Sequence, residues 1–232
     1  MPTSIHNRIL RVDLTTNRTW TQRPGKPFFR TYLGGRNVIA HYLLSEVPRG
    51  TDALDPANRL VFAMGPVTGV ALPGAGRHSV GAKSPLTGLF GESEAGGYWG
   101  SELKQAGWDG IVIEGRAEVP VYLWINDQDV EIRDAQHLWG QVTGPVEDTL
   151  RNELDDQQVR VAQIGPAGEN LVRYACIVND LNEVAGRTGM GAVMGSKNLK
   201  AIAVRGSHRV PVADTGPIKA TARWVAHETL GE

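Results

Sequence analysis

The stretch Leu60-Val61-Phe62-Ala63-Met64-Gly65-Pro66 returns about 100 residues later as Val159-Arg160-Val161-Ala162-Gln163-Ile164-Gly165-Pro166. In each copy a mainly apolar run of strand length meets a Gly-Pro step, and proline ends the pairing because it has no amide to donate. The sequence that follows is also alike. After the first copy come Gly76-Arg77 and Lys83-Ser84; after the second come Gly186-Arg187 and Ser196-Lys197. Glycine-rich backbone that carries an always-charged guanidinium and a lysine suits the close approach of an anion such as a phosphate. Two such devices call for one ligand with two phosphates, or for two ligands. The spacing is too long for a solenoid unit. It points to internal duplication, with two similar halves packed around a two-sheet core.

The rest of the chain fits this frame. Arg8–Leu14 alternates apolar and polar residues, and Arg18–Gln22 follows across a polar turn at Thr15–Asn17, which predicts a hairpin. Lys26–Leu33 and Asn37–Val47 read as helices parted by Gly34-Gly35, the second stopped by Pro48-Arg49-Gly50. Strands are predicted at Arg59–Met64, Arg77–Ala82 and Gly110–Glu114, with a helix over Gly97–Ala106 ended by Gly107. Val119–Ile125 and Val130–Ile132 form a hairpin around Asn126-Asp127, and Val146–Leu154 is helical. Strands at Val159–Ile164 and Leu171–Val178 flank the second device, followed by a short helix at Gly191–Asn198 and a strand at Lys200–Val204. The expected fold is α+β: a β-rich two-sheet domain with a pseudo-twofold duplication, flanked by helices.

Composition excludes several classes of function. The 232 residues are 41% hydrophobic, with 28 glycines and 13 prolines but no low-complexity run, as in a globular chain rich in strands and turns. A net charge of -1 gives no basic footprint for nucleic acid. No secretory leader or membrane-length apolar run is present, so a cytoplasmic location is expected, with no membrane partner. Cys176 is the one cysteine; it rules out an internal disulfide and reads as a small core residue on a buried strand. The six histidines show no metal-ligand spacing, and His78 reads as an exposed turn residue. Trp99, Trp108, Trp124 and Trp139 read as core, and no Ser-His-Asp or Cys-His nucleophile arrangement is suggested.

Several longer strings resemble a known family. They are Gly65-Pro66-Val67-Thr68-Gly69, Gly76-Arg77, Lys83-Ser84-Pro85-Leu86-Thr87-Gly88, Gly96-Gly97-Tyr98, Ile164-Gly165-Pro166-Ala167-Gly168-Glu169-Asn170-Leu171, and Gly186-Arg187-Thr188-Gly189-Met190-Gly191-Ala192-Val193-Met194-Gly195-Ser196-Lys197-Asn198-Leu199-Lys200. Together they resemble the N-terminal domain of tungsten-dependent aldehyde ferredoxin oxidoreductases over roughly residues 5 to 210. The resemblance implies a pterin-cofactor-cradling domain at 1–210. It implies a linker and the truncated start of a following helical domain at 211–232, where Val210–Gly216 reads as linker and Ile218–Leu230 as an amphipathic helix.

It also implies a site. Arg77 would lie against the phosphate side of a metal-bound pterin dithiolene. Gly96 and Gly97 would line the cofactor with backbone amides, and Val184, Ala185, Gly186, Arg187, Gly189 and Gly191 would supply the second half's contacts. The backbone carbonyls of Glu94 and Val184 would hold a magnesium ion bridging two phosphates. Two departures from the family's pattern put carboxylates beside those phosphates: Glu94 where an asparagine is usual, and Glu183 where the best-known members have arginine. Glu92 adds a third. The glycines admit a second role, which is to let a strand pack closely on a helix.

The implied activity is oxidation of aldehydes to carboxylic acids at tungsten or molybdenum held by two pterins, with ferredoxin as acceptor. A [4Fe-4S] cluster takes four cysteines, so it would come from missing C-terminal domains or from a partner chain. A homodimer is among the expected assemblies. The isolated chain is expected to be inactive. The alternative is a non-catalytic binding subunit or a fold remnant without the cofactor.

Overall fold

The computed structural model describes residues 4–230. The first half runs β1 (Ile9–Asp13), β2 (Arg18–Gln22), α1 (Lys26–Tyr32), α2 (Gly35–Glu46), β3 (Leu60–Met64), β4 (His78–Lys83), β5 (Phe90–Ala95), α3 (Trp99–Gln105) and β6 (Gly110–Glu114). The second runs β7 (Val121–Asn126), β8 (Asp129–Asp134), α4 (Thr143–Glu153), β9 (Arg160–Gln163), α5 (Pro166–Glu169), β10 (Ile177–Asn179), β11 (Glu183–Ala185), α6 (Met190–Ser196) and β12 (Leu199–Arg205). Helix α7 (Thr215–Leu230) follows.

The two sheets have one topology. The first is ordered β2-β1-β6-β3-β4-β5 and the second β8-β7-β12-β9-β10-β11. Each contains a single parallel pair, β1 with β6 and β7 with β12, and the remaining neighbours are antiparallel. Gly65-Pro66 follows β3 and Gly165-Pro166 follows β9, so the repeated step sits at equivalent places. The amides of Met64 and Ile164 donate to the carbonyls of Asp109 and Lys200 at 3.0 and 3.1 Å, which fixes the same register in both halves.

Burial explains why these segments are strands. β3 is buried along its length, as an inner strand covered on both faces must be, whereas the edge strand β2 exposes alternate residues. The main core lies between the sheets. It joins Leu10, Leu60 and Phe62 of the first sheet to Leu123, Ile164 and Ile202 of the second, with Trp99 and Leu103 of α3 and Met190 and Val193 of α6 among them. α1 and α2 cover the outer face of the first sheet with Phe29, Ile39 and Tyr42, and α4 covers that of the second with Val146 and Leu150. Helix α3 of the first half packs on β9 and β12, while α6 of the second packs on β3, β4 and β5. This exchange joins the halves. Trp99 Nε1 donates to the Ile202 carbonyl at 3.0 Å and Trp108 Nε1 to the Asp127 carbonyl at 2.8 Å, so both indoles satisfy their polar atom across the joint.

Four expectations need correction. The Gly-Arg steps are not equivalent: Gly76-Arg77 leads into β4, whereas Gly186-Arg187 leads into α6 and has Gly96-Gly97, ahead of α3, as its counterpart. Leu171–Val178 contributes only β10, because Leu171 takes the left-handed conformation at φ 57° and the chain turns before Ile177. Cys176 accordingly lies ahead of the strand and is half-buried. His78 is 3% exposed, because the register of β4 turns it onto Phe62 and Trp99. Trp99, Trp108 and Trp124 are buried, and Trp139 packs against the core, as read from the sequence.

Candidate functional site

The edge strands β5 and β11, each at the end of its sheet, meet at the pseudo-twofold. Each closes on a residue followed by Ala-Gly: Glu94-Ala95-Gly96 in the first half and Val184-Ala185-Gly186 in the second. Glu94 and Val184 are thus the penultimate residues of equivalent edge strands. Between them lies a cleft of about 470 Å³, lined by Arg36, Arg77, Glu92, Ser93, Glu94, Val184, Gly186 and Arg187. It continues into a second hollow of about 340 Å³ that shares Arg36, Arg77 and Glu94 and runs past Gly34-Gly35 to Gly65-Pro66 and His78.

Besides Arg36, which faces Glu92 and Glu94, two guanidiniums reach this cleft, one from each half. Both Arg77 and Arg187 are exposed, and among the described residues neither has an ion-pair partner. Their backbones are fixed: the Arg77 carbonyl accepts from Thr68 Oγ1 at 2.8 Å, and the Arg187 amide donates to Ser93 Oγ at 3.2 Å. Unpaired arginines on held backbone can meet the oxygens of a phosphate without first breaking an internal ion pair.

The glycines divide into two groups. Gly186 lines the cleft. Gly96 and Gly97 instead abut the turn between β10 and β11, where a Cβ on Gly96 would come 2.6 Å from Glu183 Oε2 and one on Gly97 would come 2.4 Å from Asp180 Oδ2. The Asp180 carboxylate accepts from the amides of Tyr98 (2.5 Å) and Trp99 (3.2 Å), and Asn179 Nδ2 donates to the Gly96 carbonyl at 2.9 Å. A reciprocal clasp runs from the other half, where Ser84 Oγ donates to the Thr188 carbonyl at 2.7 Å. Gly189 and Gly191 are buried, and a Cβ on them would come 2.0 Å from the Arg173 carbonyl and 2.3 Å from the Cys176 carbonyl. Those two let the 173–176 segment lie against the start of α6. Ala185 is buried beside them.

The lysines of the repeated devices turn away from the cleft. Lys83 Nζ donates to the Thr51 carbonyl at 2.6 Å. Lys197 Nζ donates to the carbonyls of Pro56, Asn58 and Gly115 at 3.2, 2.7 and 3.2 Å, a staple from the second half onto the first. Burial pulls the Lys197 ammonium down to about 7 and the His78 imidazole down to about 4, so His78 is neutral at pH 7. Among the described residues no three His, Cys, Asp or Glu side chains are grouped to hold a metal ion. No helix there is long and apolar enough to cross a membrane.

Sequence reasoning overlooked Arg36. Its signal was Gly34-Gly35-Arg36, a third Gly-Arg step. Gly34 lets α2 begin flush on β3, since a Cβ there would come 2.3 Å from the Met64 carbonyl, and this delivers Arg36 over the cleft.

Residues 9–206 match the family described as aldehyde ferredoxin oxidoreductase, N-terminal domain. The chain belongs to this family. It is 50% identical over 207 residues to the tungsten-containing aldehyde ferredoxin oxidoreductase of Pyrococcus furiosus, a match covering 89% of this chain and 34% of the relative. The enzyme of the same name from Thermococcus kodakarensis matches equally. An aliphatic sulfonate oxidoreductase, WOR-like subunit, of Pyrococcus furiosus is 36% identical over 221 residues, covering 89% and 35% of the two chains. The solved active-site complex BamBC of benzoyl coenzyme A reductase with 1,5-dienoyl-CoA superposes on the whole chain with a TM-score of 0.95 at 37% identity, over 35% of that chain. The chain therefore spans about a third of the length of these oxidoreductases.

Proposed function

We propose that this chain is the cofactor-cradling unit of a tungsten or molybdenum bis-pterin oxidoreductase that converts aldehydes to carboxylic acids with ferredoxin as electron acceptor. One observation supports this above the rest: the duplicated halves bring Arg77 and Arg187, both unpaired, to a single cleft at their joint. A cofactor with two phosphate-bearing arms fits a cradle with two arginines and two matching strand ends. Arg77 and Arg187 would hold the phosphates, and the backbone carbonyls of Glu94 and Val184 would face a bridging magnesium. Gly96, Gly97, Ala185, Gly186, Gly189 and Gly191 would shape the surrounding backbone.

The cofactor, when bound, supplies the redox chemistry, while this chain binds, orients and shields it. With Cys176 as the one thiol, a [4Fe-4S] cluster would be held by the remaining two thirds of the enzyme or by a partner chain. The location proposed is cytoplasmic, and ferredoxin would dock on that remainder.

A second reading, a cofactor-free remnant or binding subunit, has one observation in its favour. The Asp180 carboxylate already occupies the amides at the start of α3, and Glu183 lies on Gly96. Co-expression separates the two readings. The chain would be produced with residues corresponding to the missing two thirds of the Pyrococcus furiosus relative, and the purified complex assayed for tungsten, pterin and aldehyde-dependent dye reduction. Metal and pterin at about one cofactor per complex are expected. A stable complex devoid of both would establish the remnant.

A further inference from the structure

The cleft holds more charge than its two free arginines. Arg36 NH2 stands 3.5 Å from a carboxylate oxygen of Glu92 and 3.6 Å from one of Glu94. Both separations exceed hydrogen-bond length, so the guanidinium is attracted to the pair without having committed its donors to it. Arg36 is 64% exposed. Glu92 is the more enclosed of the carboxylates, at 12% exposed, and one of its oxygens is buried with no hydrogen-bond partner. These residues share the cleft walls with Arg77 and Arg187.

The position of Arg36 is costly for its own helix. It is the second residue of α2, which has no side-chain cap and no acidic residue in its first turn. A cation there faces the positive end of the helix dipole, an unfavourable arrangement. Glu92 and Glu94 offset that repulsion only in part, because a loose pair at an exposed site contributes little. Removing Arg36 would ease the helix but leave two carboxylates facing any phosphate that enters.

We propose that Arg36 is a third anion-binding arginine of this cleft, which also offsets the repulsion that Glu92 and Glu94 would otherwise exert on the ligand. The assignment rests on the reading of the cleft as a phosphate cradle. With Arg36 present the cleft carries three cations against two anions and accepts a diphosphate-type group. With Arg36 gone the count is two against two, and the carboxylates repel the ligand. The ligand class is a phosphate diester or diphosphate moiety, and free pyrophosphate shares its chemistry.

The test is calorimetric titration of the full chain with inorganic pyrophosphate at low ionic strength, where such interactions are least screened. The variants are Arg36→Gln, Glu94→Gln, the double Arg36→Gln/Glu94→Gln, and Arg77→Ala, each checked for an unchanged far-ultraviolet spectrum. Arg36→Gln should weaken pyrophosphate binding by about tenfold or more. Glu94→Gln should tighten it, and the double variant should regain most of what Arg36→Gln lost, which a merely structural role would not produce. Weakening by Arg77→Ala together with an unchanged Arg36→Gln would overturn the role of Arg36 while leaving the cradle intact. No binding by the native chain, or no effect of Arg77→Ala, would overturn the cradle and this inference with it.

Discussion

The two halves share every strand and every pairing sense, yet at equivalent places they carry opposite chemistry. In the first half Asp109 accepts the amide of Met64 through its carbonyl, while its carboxylate takes the ammonium of Lys104, a residue of α3. In the second half Lys200 accepts from Ile164 in the same way, and its ammonium meets the carboxylate of Glu169, from α5. Both pairs are almost fully buried. The lesson is that the backbone register demands a satisfied polar group at this place but is indifferent to its sign. The topology is what the duplication has preserved, and side-chain chemistry was free to diverge wherever a partner diverged with it. The cleft at the joint shows the complementary case: each half presents one unpaired arginine to the same hollow, although Arg77 and Arg187 stand at different places in their halves.

The largest expected effect probes the buried pairs. Asp109→Asn leaves the Lys104 ammonium buried without a counter-charge, and Lys200→Met does the same to the Glu169 carboxylate. Each should cost about 3–5 kcal/mol in urea unfolding, because a buried pair broken on one side exposes an uncompensated charge. The double replacement Lys104→Met/Asp109→Leu should recover part of the loss, the amides of His6 and Arg8 still lacking the carboxylate to which they donate. A half that tolerates the single change would show that its pair is not part of a shared framework.

Acid should separate the halves next. His78 opens β4 and pairs with Ala95, and its counterpart Ile177 opens β10 and pairs with Ala185. Since burial holds the folded imidazole at about 4, below its usual 6.5, the unfolded chain binds the proton first as pH falls. The contribution of His78 is fully present above pH 6.5 and declines as pH drops toward 4, by up to about 1.4 kcal/mol per pH unit. Hydrogen exchange should show protection lost in β4 before β10 across that window, and His78→Phe should flatten the slope. Equal loss in both strands would place the acid sensitivity elsewhere.

Glycines give the smallest stability contrast. A Cβ on Gly195 of α6 would come 2.0 Å from the Gly168 carbonyl, which is backbone and cannot turn aside, whereas one on Gly100 of α3 would meet His78 Nδ1 at 2.9 Å. Gly195→Ala should cost roughly 1–3 kcal/mol by overpacking, and Gly100→Ala less, because its nearest backbone atom, the Gly76 carbonyl oxygen, stands 3.1 Å away and alanine favours the helix. Thermal unfolding of the two variants side by side would show the order.

Much of this was readable from the sequence, and the exceptions have physical causes. The runs Leu60–Met64 and Gly110–Glu114 declared themselves because the buried positions of inner strands covered on both faces form a near-continuous apolar run. β5 did not: Phe-Gly-Glu-Ser-Glu-Ala has little strand propensity, and it is held by β4 on one side while it faces the cleft on the other. β11, three residues long, gave no period to detect. Arg77 and Arg187 stood out beside their glycines, whereas the roles of Asp180 and Asn179 depend on partners more than 80 residues away. Lys83 and Lys197 looked like anion ligands because sequence shows the charge without showing the backbone carbonyls that claim it.

A cradle built by duplication should grip one ligand with both halves at once. The direct measurement is tungsten and pterin content of the complex formed with the other two thirds of the Pyrococcus furiosus relative, for the native chain, Arg77→Ala, Arg187→Ala and the double variant. Both arginines are exposed, so the substitutions should leave chain stability within about 0.5 kcal/mol of native. Each single variant should lose a substantial and comparable share of the cofactor, and the double variant should be nearly empty. Equal occupancy in all four would contradict that shared grip.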